Sequence, residues 1–170
     1  MRKYVKSVGD ILCRRGVLTR ADVDALKRDF TAGDPAQLNY FLLDEGLVSK
    51  QELLLALSEH YQMPSFDARG YQFDHELLEL FPKEFLIEHA VLPIEFDGAI
   101  LTVVVGNPNK PGLIEQIQQF TQHHIELRVG ITRDIVDEAR AYYDEPPKEF
   151  DSGEIEEEEE ESTEDIVDVF

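Results

Sequence analysis

This sequence has little cysteine, no tryptophan and no long apolar run. Cys13 is the only cysteine in 170 residues, and there is no tryptophan. A single thiol cannot form an internal disulfide. Proteins without disulfides are typical of a reducing cytoplasm, and we expect this protein to be cytoplasmic. No histidine closely follows Cys13, so we interpret it as a helix-face residue and not as a nucleophile. No apolar run approaches 18 residues, so the sequence predicts neither a membrane span nor a signal peptide.

Positive charge is scarce as well. The chain has 16 basic and 36 acidic residues, a formal net charge of −20. Nucleic acids and anionic membranes attract proteins through broad positive surfaces, so we expect neither nucleic-acid binding nor membrane insertion. The charge is uneven: residues 145–170 contain 13 acidic residues and one basic residue, whereas residues 1–30 contain eight basic and four acidic residues.

The motifs of common enzymes are missing too. No G-x-x-x-x-G-K-[ST] phosphate-binding loop is present in the sequence. His75-Glu76 lacks the second histidine of a zinc-binding helix, and the adjacent side chains of His123-His124 should diverge. We therefore predict no catalytic residues, no metal site and no cofactor, and a protein that is not an enzyme.

A tandem repeat organises the first third of the chain. Residues 7–30 and 37–60 superimpose at an offset of 30. The matched pairs are Leu12 with Leu42, Gly16 with Gly46, Leu18 with Val48, Thr19 with Ser49 and Val23 with Leu53. Apolar residues at helical spacing, a glycine and then a hydroxyl residue predict a helix, a corner and a second helix in each copy.

The corner of each copy has two explanations. Thr19 with Asp22, and Ser49 with Glu52, have the spacing of capping boxes that begin the second helix. Glycines at the corners suit the left-handed residue that ends a helix, so backbone geometry alone explains them. The alternative is that the corners and helix N-termini form a ligand cradle. Two units too small to bury their own faces should pack into a bundle of about four short helices.

After the repeat, the residue pattern predicts a small α/β unit. The expected elements are a loop over 65–74, helices over 75–80 and 82–89, strands over 91–96 and 99–105, a helix over 112–121, a strand over 125–131, and a helix over 133–144 capped by Thr132. Asp97-Gly98 marks a hairpin between the first two strands. We predict an α+β fold: a helical tandem-repeat subdomain (1–64), a β-β-α-β-α subdomain (65–144) with helices on one sheet face, and a disordered acidic tail (145–170).

This pattern resembles a known family. A tandem array of an apolar residue and glycine, then leucine, glycine and further apolar residues resembles the N-terminal domain of type II secretion and type IV pilus assembly ATPases (the GspE, PilB and MshE family). The resemblance continues through Tyr61 to Pro64, Leu92-Pro93-Ile94, Asp97-Gly98, Asn107-Pro108 and Tyr142-Tyr143, and covers roughly residues 7–144. In the family this domain joins a hexameric ATPase to its membrane platform, and MshE-like members bind cyclic di-GMP through two such copies.

The chain departs from the ligand-binding relatives at four places. Each copy there opens with arginine, leucine and glycine and closes with glutamine; here these places hold Ser7-Val8-Gly9 and Phe30, then Gln37-Leu38-Asn39 and His60. A charge-assisted hydrogen bond contributes roughly 1.5–3 kcal/mol, so the losses favour a structural repeat. If cyclic di-GMP binds in a degenerate mode, the resemblance implies contacts at Val8, Gly9, Leu12, Arg14, Arg15, Gly16, Leu18, Phe30, Leu38, Leu42, Gly46, Val48 and His60.

Basic residues near the first corner form another candidate site. Arg14 and Arg15 precede Gly16, and Arg20 opens the next helix, where an anion could meet a helix N-terminus. The alternatives are a solvated helix face, or occupation of this patch by the glutamate-rich segment of this chain or of a neighbour.

Our functional expectation is a regulatory or docking module that contacts a protein of secretion or pilus machinery, such as its ATPase. The alternative is a cyclic di-GMP sensor with a degenerate motif. The initial Met and the acidic C-terminal stretch slightly favour a complete product over a fragment of an ATPase.

Overall fold

The computed structural model describes residues 1–144, and the predicted acidic tail lies outside the described residues. The elements are α1 (Arg2–Arg14), α2 (Arg20–Asp29), α3 (Pro35–Asp44), α4 (Lys50–Tyr61), α5 (His75–Leu78), α6 (Lys83–His89), β1 (Val91–Phe96), β2 (Ile100–Val105), α7 (Leu113–Ile117), β3 (His124–Val129) and α8 (Thr132–Asp144). Helices with a three-stranded mixed sheet confirm the α+β class. No helix within residues 1–144 combines the length and apolar character that crossing a bilayer requires.

The two copies of the repeat fold alike. Thr19 Oγ1 accepts from the backbone N–H of Asp22, whose carboxylate accepts from the N–H of Thr19. Ser49 and Glu52 form the same reciprocal pair at the start of α4, so both predicted capping boxes are confirmed. In the linker between the copies, Asp34 caps α3, and the next residue, a proline, is the first of the helix.

One hydrophobic cluster fills the space between the four repeat helices. Its largest fully buried side chains include Leu12, Leu38, Leu42, Leu53 and Leu57. Burying a leucine side chain stabilises a fold by roughly 1.5–3 kcal/mol, so this cluster is the main energetic reason for the repeat to pack on itself.

The sheet has the order β1-β2-β3, with β1 and β2 antiparallel and β2 and β3 parallel. The predicted Asp97-Gly98 hairpin is confirmed: Gly98 has φ +96°, and Asp97 Oδ1 accepts from the N–H groups of Ala99 and Ile100. Five consecutive residues of β2, from Leu101 to Val105, are buried. Because neighbouring side chains of a strand point to opposite faces, β2 is covered on both sides. Burial alone does not tell which elements form each cover, so the placement of helices on one face stays a prediction.

The helix predicted over 112–121 is shorter in the structure. After Ile117 the chain tightens into turns, in which Phe120 N–H donates to Ile117 O at 3.1 Å. Phe120 then packs edge-on against the rings of Phe81 and Phe85, with centroids 5.9 and 4.9 Å away. The observed helix therefore ends three residues before Phe120, whereas propensity alone would continue it to Thr121. The other predicted boundaries differ from the observed ones by at most two residues.

The repeat helices and the sheet share part of their core. Val129 of β3 and Ile131, just after it, belong to the hydrophobic cluster of the repeat. The chain leaving α4 also pairs with β3, because Phe66 N–H donates to Val129 O at 2.8 Å and Val129 N–H donates to Pro64 O at 3.1 Å. Residues 1–139 form one compact unit, and a second begins at Arg140. The subdomain boundary at residue 64 stays a prediction.

An ionic cluster reinforces this junction. Asp134, in the first turn of α8 and only 6% exposed, lies with Oδ1 2.7 Å from Arg69 Nη2 and with Oδ2 3.0 Å from Lys50 Nζ. Arg133 forms a two-pronged pair with Asp44, the last residue of α3, at 2.9 and 3.2 Å. The second repeat copy is therefore tied to the start of α8 by charge as well as by apolar packing.

Candidate functional site

The two glycine corners are built from the same hydrogen bonds. Gly16 and Gly46 have φ of +80° and +70°, and a Cβ on either would meet no atom within 4 Å. Gly16 N–H donates to Cys13 O at 3.0 Å, and the next two N–H groups donate to Leu12 O at 2.9 and 3.3 Å. The second corner repeats this pattern on Leu43 and Leu42. Both glycines thus satisfy backbone geometry, and their N–H groups are already engaged within the chain.

The helix N-termini beside the corners carry their own acidic side chains. The carboxylates of Asp22 and Glu52 accept hydrogen bonds at the first turns of α2 and α4. The hydrogen bonds with Thr19 hold the pKa of Asp22 below its usual range. An incoming anion at either N-terminus would meet a carboxylate in the place where the helix dipole favours negative charge.

Most apolar candidates are core residues. Val8, Leu12, Leu38 and Leu42 are fully buried, and Leu18 and Val48 are 5% exposed. Gly9 is buried at the crossing of α1 and α2, where an added Cβ would lie 2.9 Å from Val23 Cγ1. These seven residues therefore shape the bundle, and their side chains are not presented to a ligand.

Arg14 and Arg15 are both paired with one carboxylate of α4. Arg14 Nη2 donates to Glu59 Oε2, and Arg15 Nη2 lies 3.2 Å from Glu59 Oε1. The Arg14 guanidinium, with help from Arg15, lowers the pKa of Glu59. Arg20 is engaged separately by Asp10 at 3.1 Å. The predicted arginine patch is thus largely neutralised by acidic side chains of the same chain.

His60 lies beside the first residue of the first copy. Its Nδ1 is 2.7 Å from Ser7 Oγ. In the ligand-binding relatives these two positions hold the glutamine of the second copy and the arginine of the first. The rings of Tyr4 and Tyr61 pack edge-on against His60, with centroids 5.1 and 4.5 Å away. Burial in this aromatic setting lowers the pKa of His60 and favours the neutral imidazole.

A groove of about 500 Å³ runs between α1 and the end of α4. It is lined by Arg14 and His60 from the candidate set, together with Lys3, Lys6, Ser7, Asp10, Ile11, Glu59 and Gln62. Its volume is in the range of small-molecule sites, and its charges are mixed. Phe30 lies elsewhere, in a groove of about 330 Å³ between α1 and α2 that is lined also by Arg2, Val5, Lys6 and Lys27.

The structure thus separates the two residues that occupy the glutamine places. It also adds residues that the repeat did not indicate, above all Lys6 and Glu59. The sequence signal of Lys6 is its helical spacing, one turn from Asp10 and near one turn from Lys3 on α1. Glu59 has no local signal, because its partners lie 44 and 45 residues away. Within residues 1–144, no group of three or more His, Cys, Asp or Glu side chains is placed to hold a metal ion.

The model of the MshEN domain family matches residues 61–149 of this chain, more than half of its length. This chain belongs to the MshEN domain family. The match begins at the end of α4, so membership rests on the α/β portion, with its Asp97-Gly98 hairpin, and not on the tandem repeat. The predicted kinship with the N-terminal domains of secretion and pilus ATPases is confirmed.

Two solved structures share the fold of this MshEN domain. A structure of MshE with cyclic di-GMP (cdg) superimposes with a TM-score of 0.60 at 20% identity, covering 80% of this chain and 98% of that one. The N-terminal domain of XpsE superimposes with a TM-score of 0.54 at 20% identity, covering 79% and 92% of the two chains. Residues 61–144 alone could not supply this coverage, so the shared fold extends into the repeat helices.

Among curated proteins, the type IV pilus assembly ATPase PilB of Myxococcus xanthus (strain DK1622) is 21% identical to this MshEN domain over 136 residues. The alignment covers 80% of this chain and 24% of PilB. The chain therefore spans about a quarter of the length of this relative.

Proposed function

We propose that this MshEN domain is a non-enzymatic docking and regulatory module that contacts protein components of a type IV pilus or type II secretion machine. Family membership, together with the fold of the MshE and XpsE N-terminal domains, is the observation that carries this proposal. The absence of a G-x-x-x-x-G-K-[ST] loop from the sequence is in keeping with a role outside nucleotide hydrolysis.

Purified cytoplasmic components of the machine provide the test. Each is titrated into the full chain by isothermal titration calorimetry at physiological salt, and we expect at least one to bind with micromolar affinity. An Arg133→Ala, Asp44→Ala double variant removes an exposed ion pair of the junction and serves as a folded comparison. The proposal fails if every component, tested at high micromolar concentration, leaves the heat of dilution unchanged.

A second candidate is a degenerate cyclic di-GMP sensor. It is favoured by the fold shared with MshE and by the groove between α1 and α4, which carries the cations of Lys3 and Lys6. Three contacts weigh against it: Ser7 and His60 bond to each other, and Glu59 engages both Arg14 and Arg15. A ligand phosphate would have to displace Glu59 before either guanidinium could pair with it.

A restoring variant separates these possibilities. Ser7→Arg with His60→Gln supplies an arginine and a glutamine at places where the ligand-binding relatives have them. If this groove is the nucleotide site, the added arginine and glutamine should strengthen cyclic di-GMP binding roughly 10- to 100-fold. This is the gain expected from one charge-assisted hydrogen bond. If the variant binds no better than the parent chain, the groove is not a nucleotide site and docking remains.

A further inference from the structure

The positive charge around the start of α1 exceeds the acidic charge that faces it. One carboxylate, Asp10, is shared by Lys6 at 3.0 Å, Arg20 at 3.1 Å and Lys27 at 3.9 Å. Arg2, on the first turn of α1, has no carboxylate within ion-pair distance in the described part of the chain. Three cations therefore compete for one anion, and a fourth is unpaired, whereas Arg14 and Arg15 are both satisfied by a single acid.

This surplus of charge surrounds an apolar groove. Arg2, Lys6 and Lys27 line the groove of about 330 Å³ whose apolar walls are Val5 and Phe30. Phe41, which is 37% exposed, continues the apolar surface, with its ring centroid 5.2 Å from that of Phe30. We call these six residues the α1–α2 groove.

The second repeat copy forms its pair of helices without these cations. Its second helix begins with the same kind of capping box as α2. At an offset of 30, Arg2, Val5, Lys6, Lys27 and Phe30 match Ala32, Pro35, Ala36, Leu57 and His60 in the sequence.

We propose that the α1–α2 groove is a docking site for an acidic peptide segment of a partner protein, with one apolar side chain packed against Phe30 and Phe41 and flanking carboxylates on Arg2, Lys6 and Lys27. The side chains of Lys6 and Lys27 are 69% and 35% exposed, so both can be reached by a peptide from solvent. Nucleic acid does not fit this groove, because a phosphate backbone needs a broad positive surface and the three cations cover only one small patch. Repulsion from distant acids is screened beyond about 8 Å at physiological salt, so the local surplus governs contact. The inference rests on the proposed docking function and names its partner chemistry.

The test uses the full chain and a fluorescein-labelled peptide in which Glu and Asp flank a central Phe-Ile pair. Two further peptides replace either the acids by Gln and Asn or the Phe-Ile pair by Ser and Gly. The groove variant Arg2→Ala, Lys27→Leu replaces two groove cations by the residues that the second copy has at an offset of 30. The matched control Lys3→Ala, Arg28→Ala removes the same charge from the same two helices outside this groove. Circular dichroism melts verify that both variants fold.

By fluorescence anisotropy, we expect the acidic Phe-Ile peptide to bind, and the groove variant to weaken it roughly tenfold, as the loss of two partly exposed ion pairs allows. The control variant should change affinity less than about twofold, since its lysine and arginine lie outside the groove. Equal losses in the two variants, equal binding of the uncharged peptide, or no binding to the parent chain would each overturn the proposal. Displacement by cyclic di-GMP, lost in the same variant, would reassign the groove to a nucleotide.

This result is separable from the docking proposal. A chain that binds a machine component but not the acidic peptide retains the docking function and loses only this inference. A chain that binds the peptide through the groove but no component keeps this site while docking to the machine fails.

Discussion

The ionic cluster around Asp134 allows a quantitative test of how the repeat is joined to α8. Asp134 Oδ1 makes a charge-assisted hydrogen bond with Arg69, whereas Oδ2 is 3.0 Å from Lys50 Nζ but lacks hydrogen-bond alignment. Breaking a fully buried pair costs about 3–5 kcal/mol. The side chains of Arg69 and Lys50 are 45% and 34% exposed, so water recovers part of this cost. We expect Asp134→Ala to lower the free energy of unfolding by about 2–4 kcal/mol.

Urea denaturation followed by circular dichroism measures this change, and an unaltered m-value would show that stability alone has changed. Asp137→Ala is the matched control, because Asp137 Oδ2 lies 3.1 Å from the same Arg69 but the side chain is 44% exposed. That variant should lose no more than about 1 kcal/mol. Equal losses in the two variants, or a loss below about 1 kcal/mol for Asp134→Ala, would refute the view that this cluster clamps the second copy to α8.

Three further predictions concern the repeat itself. Gly9→Ala should destabilise by about 1–2 kcal/mol, because its Cβ would lie 2.9 Å from Val23 Cγ1, and a double-mutant cycle with Val23→Ala should show favourable coupling. Gly16→Ala should cost about 1 kcal/mol through its φ of +80° alone, with no coupling to any side chain, since the space there is open. Stability should decline as pH falls below about 6.5, because the unfolded chain protonates its histidine before the native His60, whose pKa is lowered. Urea midpoints for His60→Gln should decline less steeply between pH 7 and pH 5, with a residual slope from His89, whose pKa is also lowered; an unchanged slope would contradict the burial argument.

Local signals in the sequence predicted the repeat well. Thr19 and Ser49 hold their capping bonds entirely within four residues, and Gly16 and Gly46 are required by the conformation of their own backbone. Asp97-Gly98 likewise fixes its hairpin through bonds to the next residues. Such short-range interactions do not depend on how the rest of the chain packs, which is why pattern analysis found them.

Long-range contacts decided what the sequence could not predict. Phe120, which follows the early end of α7, packs against Phe81 and Phe85, more than thirty residues earlier in the chain. The site depends on similar distances: Glu59 is 45 residues from Arg14, and His60 is 53 residues from Ser7. No local rule pairs these side chains, so the arginine patch looked free in the sequence and is compensated in the structure.

We propose that this MshEN domain docks to protein partners and that its degenerate repeat does not bind a nucleotide. The most direct measurement is isothermal titration of cyclic di-GMP into the full chain at low and at physiological salt, with a Gly16→Asp, Gly46→Asp double variant as control. We expect no heat of binding at hundreds of micromolar ligand, because Ser7 and His60 hydrogen-bond to each other and Glu59 pairs with both corner arginines. Micromolar binding that the double variant abolishes would contradict it and establish the repeat as a nucleotide sensor.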